Sequence, residues 1–216
     1  MKKSRFIQTL VAVTVLCFGT TAFAATQVVV NGSTTVLPVA QAAAEAYMKS
    51  RSDVSISISG GGSGNGIKAL IDGTTDIANS SRFLKDKEVQ SAMEKGAYPV
   101  PFRIAMDAIV PIVHPRNPVK DLTIEQLSLI YQGKIRNWKE VGGEDLQIVI
   151  VSRDTSSGTY EVWEEKVLHK AKVSPRAQLQ ASNGAVSQAV SKNRYAIGYI
   201  GFGYLNKDVK ALQVNG

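Results

Sequence analysis

The chain has 216 residues, of which 44% are hydrophobic and 20% are charged, and its formal net charge is +7. This composition is typical of a globular protein that buries a substantial core in one domain or two small ones, and it excludes a disordered chain. The basic residues are scattered and form no patch interleaved with aromatic residues, so we expect no nucleic-acid partner.

Residues 1–24 have the pattern of a secretory signal peptide. A positively charged start precedes an apolar segment of roughly a dozen residues and the small-residue ending Ala-Phe-Ala. The segment is too short for a membrane-spanning helix, which needs about 20 apolar residues. We therefore expect cleavage of residues 1–24 and a periplasmic location for the mature chain.

Cleavage changes both the charge and the cysteine content. Removing Lys2, Lys3 and Arg5 from the 25 basic residues leaves 22 of them against 18 acidic ones, a net charge of +4. The sole cysteine, Cys17, lies in the same segment. The mature chain is therefore expected to have no disulfide, no catalytic thiol and no cysteine-ligated metal.

Three strand–turn–helix units follow one another in the first part of the mature chain. The predicted strands are short and apolar, at 28–30, 54–58 and 77–78. Each strand leads into a turn of small polar residues, at 31–35, 59–66 and 79–82, and then into a helical stretch. This alternation predicts an α/β fold with mostly parallel sheets.

A fourth unit lies further along the chain. The apolar run 146–151 predicts a buried strand. After Thr159, four apolar residues follow the period of a helix: Val162, Trp163, Val167 and Leu168. The turn between them, "RDTSSGT", combines a charged Arg153 with free backbone N–H groups at the positive end of a helix dipole. Such a turn is suited to binding an anion.

The four turns share one chemistry: "NGSTT", "GGGSGNG", "NSSR" and "RDTSSGT". In parallel α/β sheets, the turns after the strands gather at the carboxyl edge, where ligands bind. Serine, threonine and glycine are also ordinary capping and turn residues, so each turn alone is ambiguous. Together the four turns favour a small oxyanion as the ligand.

Known catalytic patterns are missing from the sequence. "GGGSGNG" lacks the Gly-Lys-Ser/Thr of a nucleotide P-loop, and its spacing does not fit a dinucleotide-binding turn. Neither His114 nor His169 stands beside a candidate nucleophile, and no spacing matches a metal site. We therefore expect no enzyme activity, no cofactor and no metal.

Seven motifs, in chain order, resemble the periplasmic phosphate-binding proteins of ABC transporters, the PstS type. They are "GSTTVLP", "GGGSGNG", "DIANSSR", "MDAIVPIVHPRNPV", "LTIEQLSLIYQGKIRNWKEVGG", "RDTSSGT" and "AIGYIGF". The most specific is "IYQGKIRNW", which no general capping rule would produce. The resemblance implies a two-domain periplasmic binding protein fold, type II-like, in which the cleft holds phosphate without a metal.

Most of the family's phosphate-binding residues have counterparts in this sequence. The resemblance assigns the ligand to Thr34, Thr35, Ser63, Ser81, Arg153, Ser157, Gly158 and Thr159. Better-known members end the third turn with an aspartate that accepts the proton of the phosphate, and Ser81 stands there instead. We assign the acceptor to Asp107, although Asp107 is alternatively a hinge residue. Asp76 is interpreted as a turn residue, and Arg82 as a solvated charge.

The resemblance also predicts domains and function. A first domain at 25–110 leads into a second at 111–202, and 203–216 returns to the first domain. The chain is either a fragment or has a smaller first domain than its relatives. The expected function is capture of inorganic phosphate by a monomer that delivers it to an ABC transporter permease in the inner membrane. The alternatives are a secreted phosphate-binding module for sensing or adhesion, and a secreted hydrolase.

Overall fold

The computed structural model describes residues 25–216, and the predicted signal peptide at 1–24 lies outside the described residues. The first half, residues 25–94, alternates three strands with three helices. They are β1 (Thr26–Gly32), α1 (Leu37–Ser50), β2 (Val54–Gly60), α2 (Ser63–Ile71), β3 (Ile77–Asn79) and α3 (Asp86–Glu94). The three strand–turn–helix units predicted for this part of the chain are therefore confirmed.

The three strands of the first half form one parallel sheet. Strand β1 lies in the middle, and its Val30 pairs with Ile58 of β2 on one side and Ile77 of β3 on the other. Because the strands run in the same direction, the turns that follow them lie at the same edge of the sheet.

The second half, residues 109–216, is larger and carries a mixed sheet. Its strands are β4 (Ile109–Val113), β5 (Asp121–Leu122), β6 (Val149–Arg153), β7 (Gln178–Gln180), β8 (Ala196–Gly201), β9 (Lys210–Ala211) and β10 (Gln213–Val214). Its α-helices are α4 (Ile124–Tyr131), α5 (Gly158–Lys166) and α6 (Asn183–Ser191). Short 3-10 helices lie at Trp138–Val141 and Phe202–Tyr204.

The main sheet of the second half has the strand order β7-β6-β8-β4-β9. Strand β6 is parallel to both β7 and β8, whereas β4 is antiparallel to β8 and β9. Counting all strand pairings in residues 25–216, five of the seven are parallel. The predicted α/β fold with mostly parallel sheets is thus confirmed, with β4 as the antiparallel exception.

Three aromatic residues form the centre of the second half's core. The rings of Trp163 and Tyr199 stack with centroids 4.3 Å apart, and the ring of Tyr131 meets Trp163 edge-on at 5.1 Å. Each side chain is buried, and burying a large apolar side chain contributes about 1.5–3 kcal/mol. The Tyr199 hydroxyl also receives a hydrogen bond from the backbone N–H of Arg153. The core therefore fixes the end of β6.

Helix α5 is shorter than the apolar period predicts. It ends at Lys166, so Val167 and Leu168 lie beyond it, although both are buried in the same core. His169 and Lys170 have φ angles of 49° and 67°, in the left-handed region where a helix cannot continue. The apolar pattern therefore identified three buried residues, Trp163, Val167 and Leu168, together with the half-buried Val162, but overestimated the length of the helix.

The last residues pair with the second half. Strand β9 adds to the free edge of β4, and β10 pairs with β5. Val209 and Leu212 are buried there, and this apolar burial explains why the segment stays on the second half. Residues 203–216 were predicted to return to the first domain, but both of their strands pair with strands of the second half. The segment touches the first half through the Tyr204 hydroxyl, which donates to the backbone carbonyl of Thr34 at 2.6 Å.

Between α3 and β4, a row of apolar side chains faces solvent. Its large apolar residues stand at every second position and are all exposed: Tyr98, Val100, Phe102, Ile104 and Met106. A spacing of two is that of a strand, but no strand is assigned to this stretch. The segment that joins the two halves therefore presents an exposed apolar row.

Candidate functional site

The four polar turns meet where the two halves touch. The hydroxyl oxygens of Thr35 and Thr159, one from each half, lie 3.0 Å apart. The backbone N–H of Gly64 donates across the same boundary to the carbonyl of Ser156 at 2.9 Å. The carboxyl-edge turns of both sheets thus line one cleft.

Two serines of the first half form one side of the cleft. Ser63 is the first residue of α2 and is fully buried. Its hydroxyl oxygen accepts from the backbone N–H of Ser81 at 3.1 Å and lies 3.2 Å from the Ser81 hydroxyl. Because Ser63 stands at the N-terminus of α2, the positive end of that helix dipole faces the same place.

The start of α5 closes against these serines. The Ser157 side chain caps the helix by accepting from the backbone N–H of Tyr160 at 3.2 Å. The next residue, Gly158, is so close to the first half that an added Cβ atom would overlap the Ser63 hydroxyl and lie 2.7 Å from the Ser81 hydroxyl. A side chain at 158 would therefore displace these hydroxyls or push the two halves apart.

Arg153 is a buried cation at the end of β6. Its Nε donates to the carbonyl of Gln180 and its Nη2 to that of Ala181, each at 3.0 Å. Its Nη1 is buried and finds no hydrogen-bond partner within residues 25–216. Burial lowers the pKa of Arg153 from its ordinary value, but a guanidinium stays protonated in proteins.

No carboxylate within the described range forms an ion pair with Arg153. A buried charge is costly unless it is paired with an opposite charge. The guanidinium and its free Nη1 therefore make this position suited to an anion. The carbonyls of Gln180 and Ala181 fix the orientation of the planar group, which can then form paired hydrogen bonds with an oxyanion.

Asn183, the first residue of α6, is a further residue of the site that the sequence did not indicate. It is fully buried, and its side-chain Nδ2 donates to the hydroxyls of Thr34 at 2.9 Å and Thr35 at 3.1 Å. It belongs to a fifth polar turn, "ASNG", which follows the short strand β7. The polar turn was the one feature of the sequence that could have indicated Asn183. The strand before the turn, "QLQ", has no apolar pattern, so the sequence did not predict a strand–turn–helix unit there.

Asp107 lies in the exposed segment between the two halves. Its Oδ1 accepts from the backbone N–H of Phe202 at 3.1 Å. An added Cβ atom at Gly201 would be 2.8 Å from Asp107 Oδ2 and 2.9 Å from the Thr35 methyl carbon. Asp107 is thus near Thr35, and it also binds the backbone of Phe202. This position is compatible with a proton acceptor and with a hinge residue. The role of Asp107 as proton acceptor stays a prediction.

Asp76 lies away from the cleft. It comes just before β3, and its Oδ2 accepts from the backbone N–H of Val29 at 2.7 Å. The cleft is formed at the other end of β3, after Asn79. This position agrees with the interpretation of Asp76 as a turn residue.

Arg82 was interpreted from the sequence as a solvated charge, and this interpretation was wrong. Its side chain instead connects the two halves. Its Nη1 is 2.8 Å from Glu88, and its Nε is 2.9 Å from Glu161 of α5. Lys85 approaches the same Glu161 oxygen at 2.7 Å. The hydrogen bond with Glu88 raises the pKa of Arg82, and that bond also lowers the pKa of Glu88. A network of charges therefore crosses the boundary beside the cleft.

Taken together, the cleft is rich in donors. Hydroxyls, helix N-termini and the Arg153 guanidinium face it from both halves. Within residues 25–216, no group of three or more histidine, cysteine, aspartate or glutamate side chains is placed to hold a metal ion. No helix in that range is long and apolar enough to cross a bilayer. The arrangement is suited to binding a small oxyanion through charge and hydrogen bonds.

A family model and similar proteins of known sequence both indicate which family this chain belongs to. Residues 19–214 match the PBP superfamily domain. The phosphate-binding protein PstS of Staphylococcus epidermidis is 36% identical over 183 residues, which cover 82% of this chain and 56% of that protein. Protein SphX of Synechococcus elongatus is 33% identical over 198 residues, covering 87% of this chain and 58% of that protein. The chain thus spans little more than half the length of these curated relatives.

Two solved structures are similar in both sequence and fold. One, from Clostridium perfringens, is described as a phosphate ABC transporter substrate-binding protein with bound phosphate. It has a TM-score of 0.81 and 44% identity and covers 88% of this chain and 76% of its own. The other, an ABC-type phosphate transport receptor from Vibrio cholerae, has a TM-score of 0.66 and 36% sequence identity. The match covers 87% of this chain and 76% of the receptor chain. The predicted two-domain binding-protein fold is thus confirmed, and the chain belongs to the PBP superfamily and is similar in sequence to phosphate-binding proteins of the PstS type.

Proposed function

We propose that this chain is an extracytoplasmic solute-binding protein, not an enzyme, and that it captures inorganic phosphate for delivery to an ABC transporter permease in the inner membrane. The names of its relatives support the proposal, since they include phosphate-binding proteins and a structure with bound phosphate. The observation that carries it is the buried Arg153 guanidinium, whose Nη1 has no partner within residues 25–216. A phosphate oxyanion supplies the charge and acceptor atoms that this group needs.

The ligand is proposed to lie between the two halves, near the meeting point of Thr35 and Thr159. Its expected contacts are the hydroxyl, amide and guanidinium donors of Thr34, Thr35, Ser63, Ser81, Arg153, Ser157, Gly158 and Thr159. Arg153 supplies the charge, and the backbone N–H groups at the starts of α2 and α5 supply further donors. Asp107 is proposed to accept the proton that phosphate carries near neutral pH.

The proposal includes the predicted domain arrangement and location. Residues 25–110 form a first domain and residues 111–202 a second, with the cleft between them. Binding draws the domains together, and this closure buries the ligand. The protein is proposed to act as a monomer in the periplasm after cleavage of residues 1–24.

Thermal unfolding in the presence of phosphate tests the proposed function. A ligand that binds only the folded state stabilises it by RT ln(1 + [L]/Kd), about 4 kcal/mol at a ligand concentration 1,000 times Kd. We expect the melting temperature to rise with phosphate concentration and to respond much less to sulfate. An unchanged melting temperature in millimolar phosphate, together with a rise in another anion, would assign the cleft to that anion. A chromogenic phosphate ester should show no turnover, in contrast to a secreted hydrolase.

A further inference from the structure

We propose that Asn183 sets the direction of the hydrogen bonds in the cleft and thereby acts as a positioning residue for the ligand. In this role it makes the threonine hydroxyls donate to the ligand instead of accepting from it. The inference rests on the proposed function, because it concerns an oxyanion in the same cleft. It is carried by three hydrogen bonds of one buried side chain.

The orientation of the Asn183 amide is determined by its surroundings. The backbone N–H of Gly201 lies 3.0 Å from Asn183 Oδ1. A backbone N–H only donates, so the atom that faces it is the carbonyl oxygen. The amide nitrogen must then face Thr34 and Thr35, and its two hydrogens serve the two hydroxyl oxygens, at 2.9 Å and 3.1 Å. If the amide were flipped, Asn183 Nδ2 would face the backbone N–H of Gly201, and two donors would meet without an acceptor.

This arrangement fixes the role of the Thr34 hydroxyl. A hydroxyl group has one hydrogen and two acceptor lone pairs. The Thr34 oxygen accepts from Asn183 Nδ2 and, at 3.4 Å, from the Asn183 backbone N–H. Both lone pairs are therefore occupied, and the hydroxyl hydrogen can only donate. Among residues 25–216, the hydrogen bonds of this hydroxyl include no acceptor for that hydrogen.

The same reasoning applies to Thr35 and Thr159. Thr35 also accepts from Asn183, and its oxygen lies 3.0 Å from that of Thr159. The two threonines have two hydroxyl hydrogens, of which one forms the bond between them. Whichever residue donates in that bond, the hydrogen of the other is left over. The three threonines therefore offer two hydroxyl donors to the cleft.

A ligand oxygen that faces these donors must be unprotonated. A phosphate that still carries a proton would meet a second donor if its P–OH group pointed towards Thr34, or towards whichever of Thr35 and Thr159 has the remaining hydrogen. The P–OH group must then lie on the other side of the ligand, away from Asn183. Asn183 thus selects the orientation of a protonated oxyanion without having to contact it.

The direct test is Asn183→Asp, which keeps the shape of the side chain but replaces the amide donors with acceptor oxygens. The threonine hydroxyls would turn to donate to the new carboxylate, and the cleft would lose both donors. We expect phosphate affinity to fall by about 10- to 100-fold, as when a buried polar group loses its partner. Asn183→Leu removes the donors without reversing the bonds, so we expect a smaller loss. A residue that only fills space would give the opposite order, because aspartate fits the site better than leucine.

A second variant separates hydrogen-bond direction from charge repulsion. If Asn183→Asp acts through Thr34, its effect should shrink several-fold in a Thr34→Val background, where the hydroxyl is already gone. Simple repulsion between the new carboxylate and the anion would persist at full size in that background. Asn193→Asp, which makes the same change near the end of α6 away from the cleft, should leave affinity unchanged. Thermal unfolding of each variant checks the fold.

The titrations use phosphate, sulfate, arsenate and molybdate in turn. If the unchanged protein binds another of these anions but not phosphate, the proposed function fails, and the Asn183 variants are compared with the anion that binds. An equal loss for Asn183→Asp and Asn183→Leu, or an undiminished loss in the Thr34→Val background, would overturn the inference about Asn183 alone. Binding of none of the four anions would overturn both.

Discussion

The hydroxyl oxygens of Thr35 and Thr159 lie 3.0 Å apart, although 124 positions separate the two residues in the sequence. Thr35 precedes the first helix of the first half, and Thr159 lies in the first turn of α5 in the second half. Their contact makes the two halves share one cleft. Substitutions that keep the halves apart should therefore weaken binding even when they leave every ligand donor in place.

Gly158→Ala tests how closely the two halves must approach. The new methyl group would overlap the Ser63 hydroxyl and lie 2.7 Å from the Ser81 hydroxyl. We expect phosphate affinity to fall by at least about 10-fold, because a contact of this length in a close-packed interface displaces these hydroxyls or pushes the two halves apart. The thermal stability of the ligand-free protein should change little, since alanine is favourable in a helix. Calorimetric titration measures the affinity.

Gly184→Ala is the matched control. Gly184 lies in the first turn of α6, and an added Cβ atom would find its nearest neighbours at 3.8 Å and 3.9 Å, an ordinary contact distance. Affinity should therefore stay near that of the unchanged protein. Equal effects of the two substitutions would argue against a special role for Gly158.

Arg153 is expected to be the main charge partner of the ligand. Arg153→Lys keeps the charge but loses the planar, paired donors, so we expect affinity to fall by about 10-fold. Arg153→Ala removes the charge as well and should cost about 100-fold or more. Arg116→Ala, at an exposed arginine, is the control and should have no effect. Retained affinity in Arg153→Ala would remove Arg153 from the site.

The ion pair between Arg82 and Glu161 should favour the closed arrangement of the halves. Both side chains are largely buried, with 8% and 17% of their surface exposed, so the pair is less screened than a surface pair. Glu161→Gln should therefore speed dissociation of phosphate and lower its affinity by about 3- to 10-fold. Stopped-flow measurement of the dissociation rate tests this.

A double-mutant cycle with Arg82→Gln isolates the pair. Because the two residues contact each other, the effects of the two substitutions should not add. Glu165→Gln, on the exposed side of the same helix where Glu165 pairs with Lys166, should leave dissociation unchanged. Additive effects of Arg82→Gln and Glu161→Gln would mean that the pair does not contribute to closure.

Discrimination between phosphate and sulfate should depend on Asp107. Phosphate carries a proton near neutral pH and sulfate does not, so a carboxylate that contacts the ligand can accept from the first and repels the second. We expect Asp107→Asn to weaken phosphate binding and to reduce the preference for phosphate over sulfate together, with an unchanged circular dichroism spectrum. A variant that keeps the full preference would assign Asp107 to the hinge, where it accepts from Phe202.

The sequence predicted those parts of the fold and site that depend on local patterns. The strands of the first half were predicted because apolar residues and polar turns alternate regularly there, and Arg153 was singled out because its turn lies between a strand and a helix. The start of α2 at Ser63 was missed, since glycine has a low helix propensity. There, an added Cβ atom at Gly66 would lie 2.5 Å from Gly32 Cα, so only glycine allows this close packing.

The remaining features depend on contacts between distant residues. Arg82 was interpreted as solvated because Glu161, its partner in the other half, lies far along the chain. Asn183 follows a three-residue strand with no apolar pattern, so nothing local connects it to Thr34. Strands β9 and β10 have two residues each and are defined by their pairing with β4 and β5. Such features follow from tertiary packing and not from periodicity.

Calorimetric titration of the purified protein with phosphate, and separately with sulfate, arsenate and molybdate, tests the central claim most directly. The proposed cleft predicts that one phosphate binds per chain and that it binds much more tightly than sulfate, which lacks a proton for the acceptor. The absence of phosphate binding, or tighter binding of sulfate than of phosphate, would contradict the proposed function.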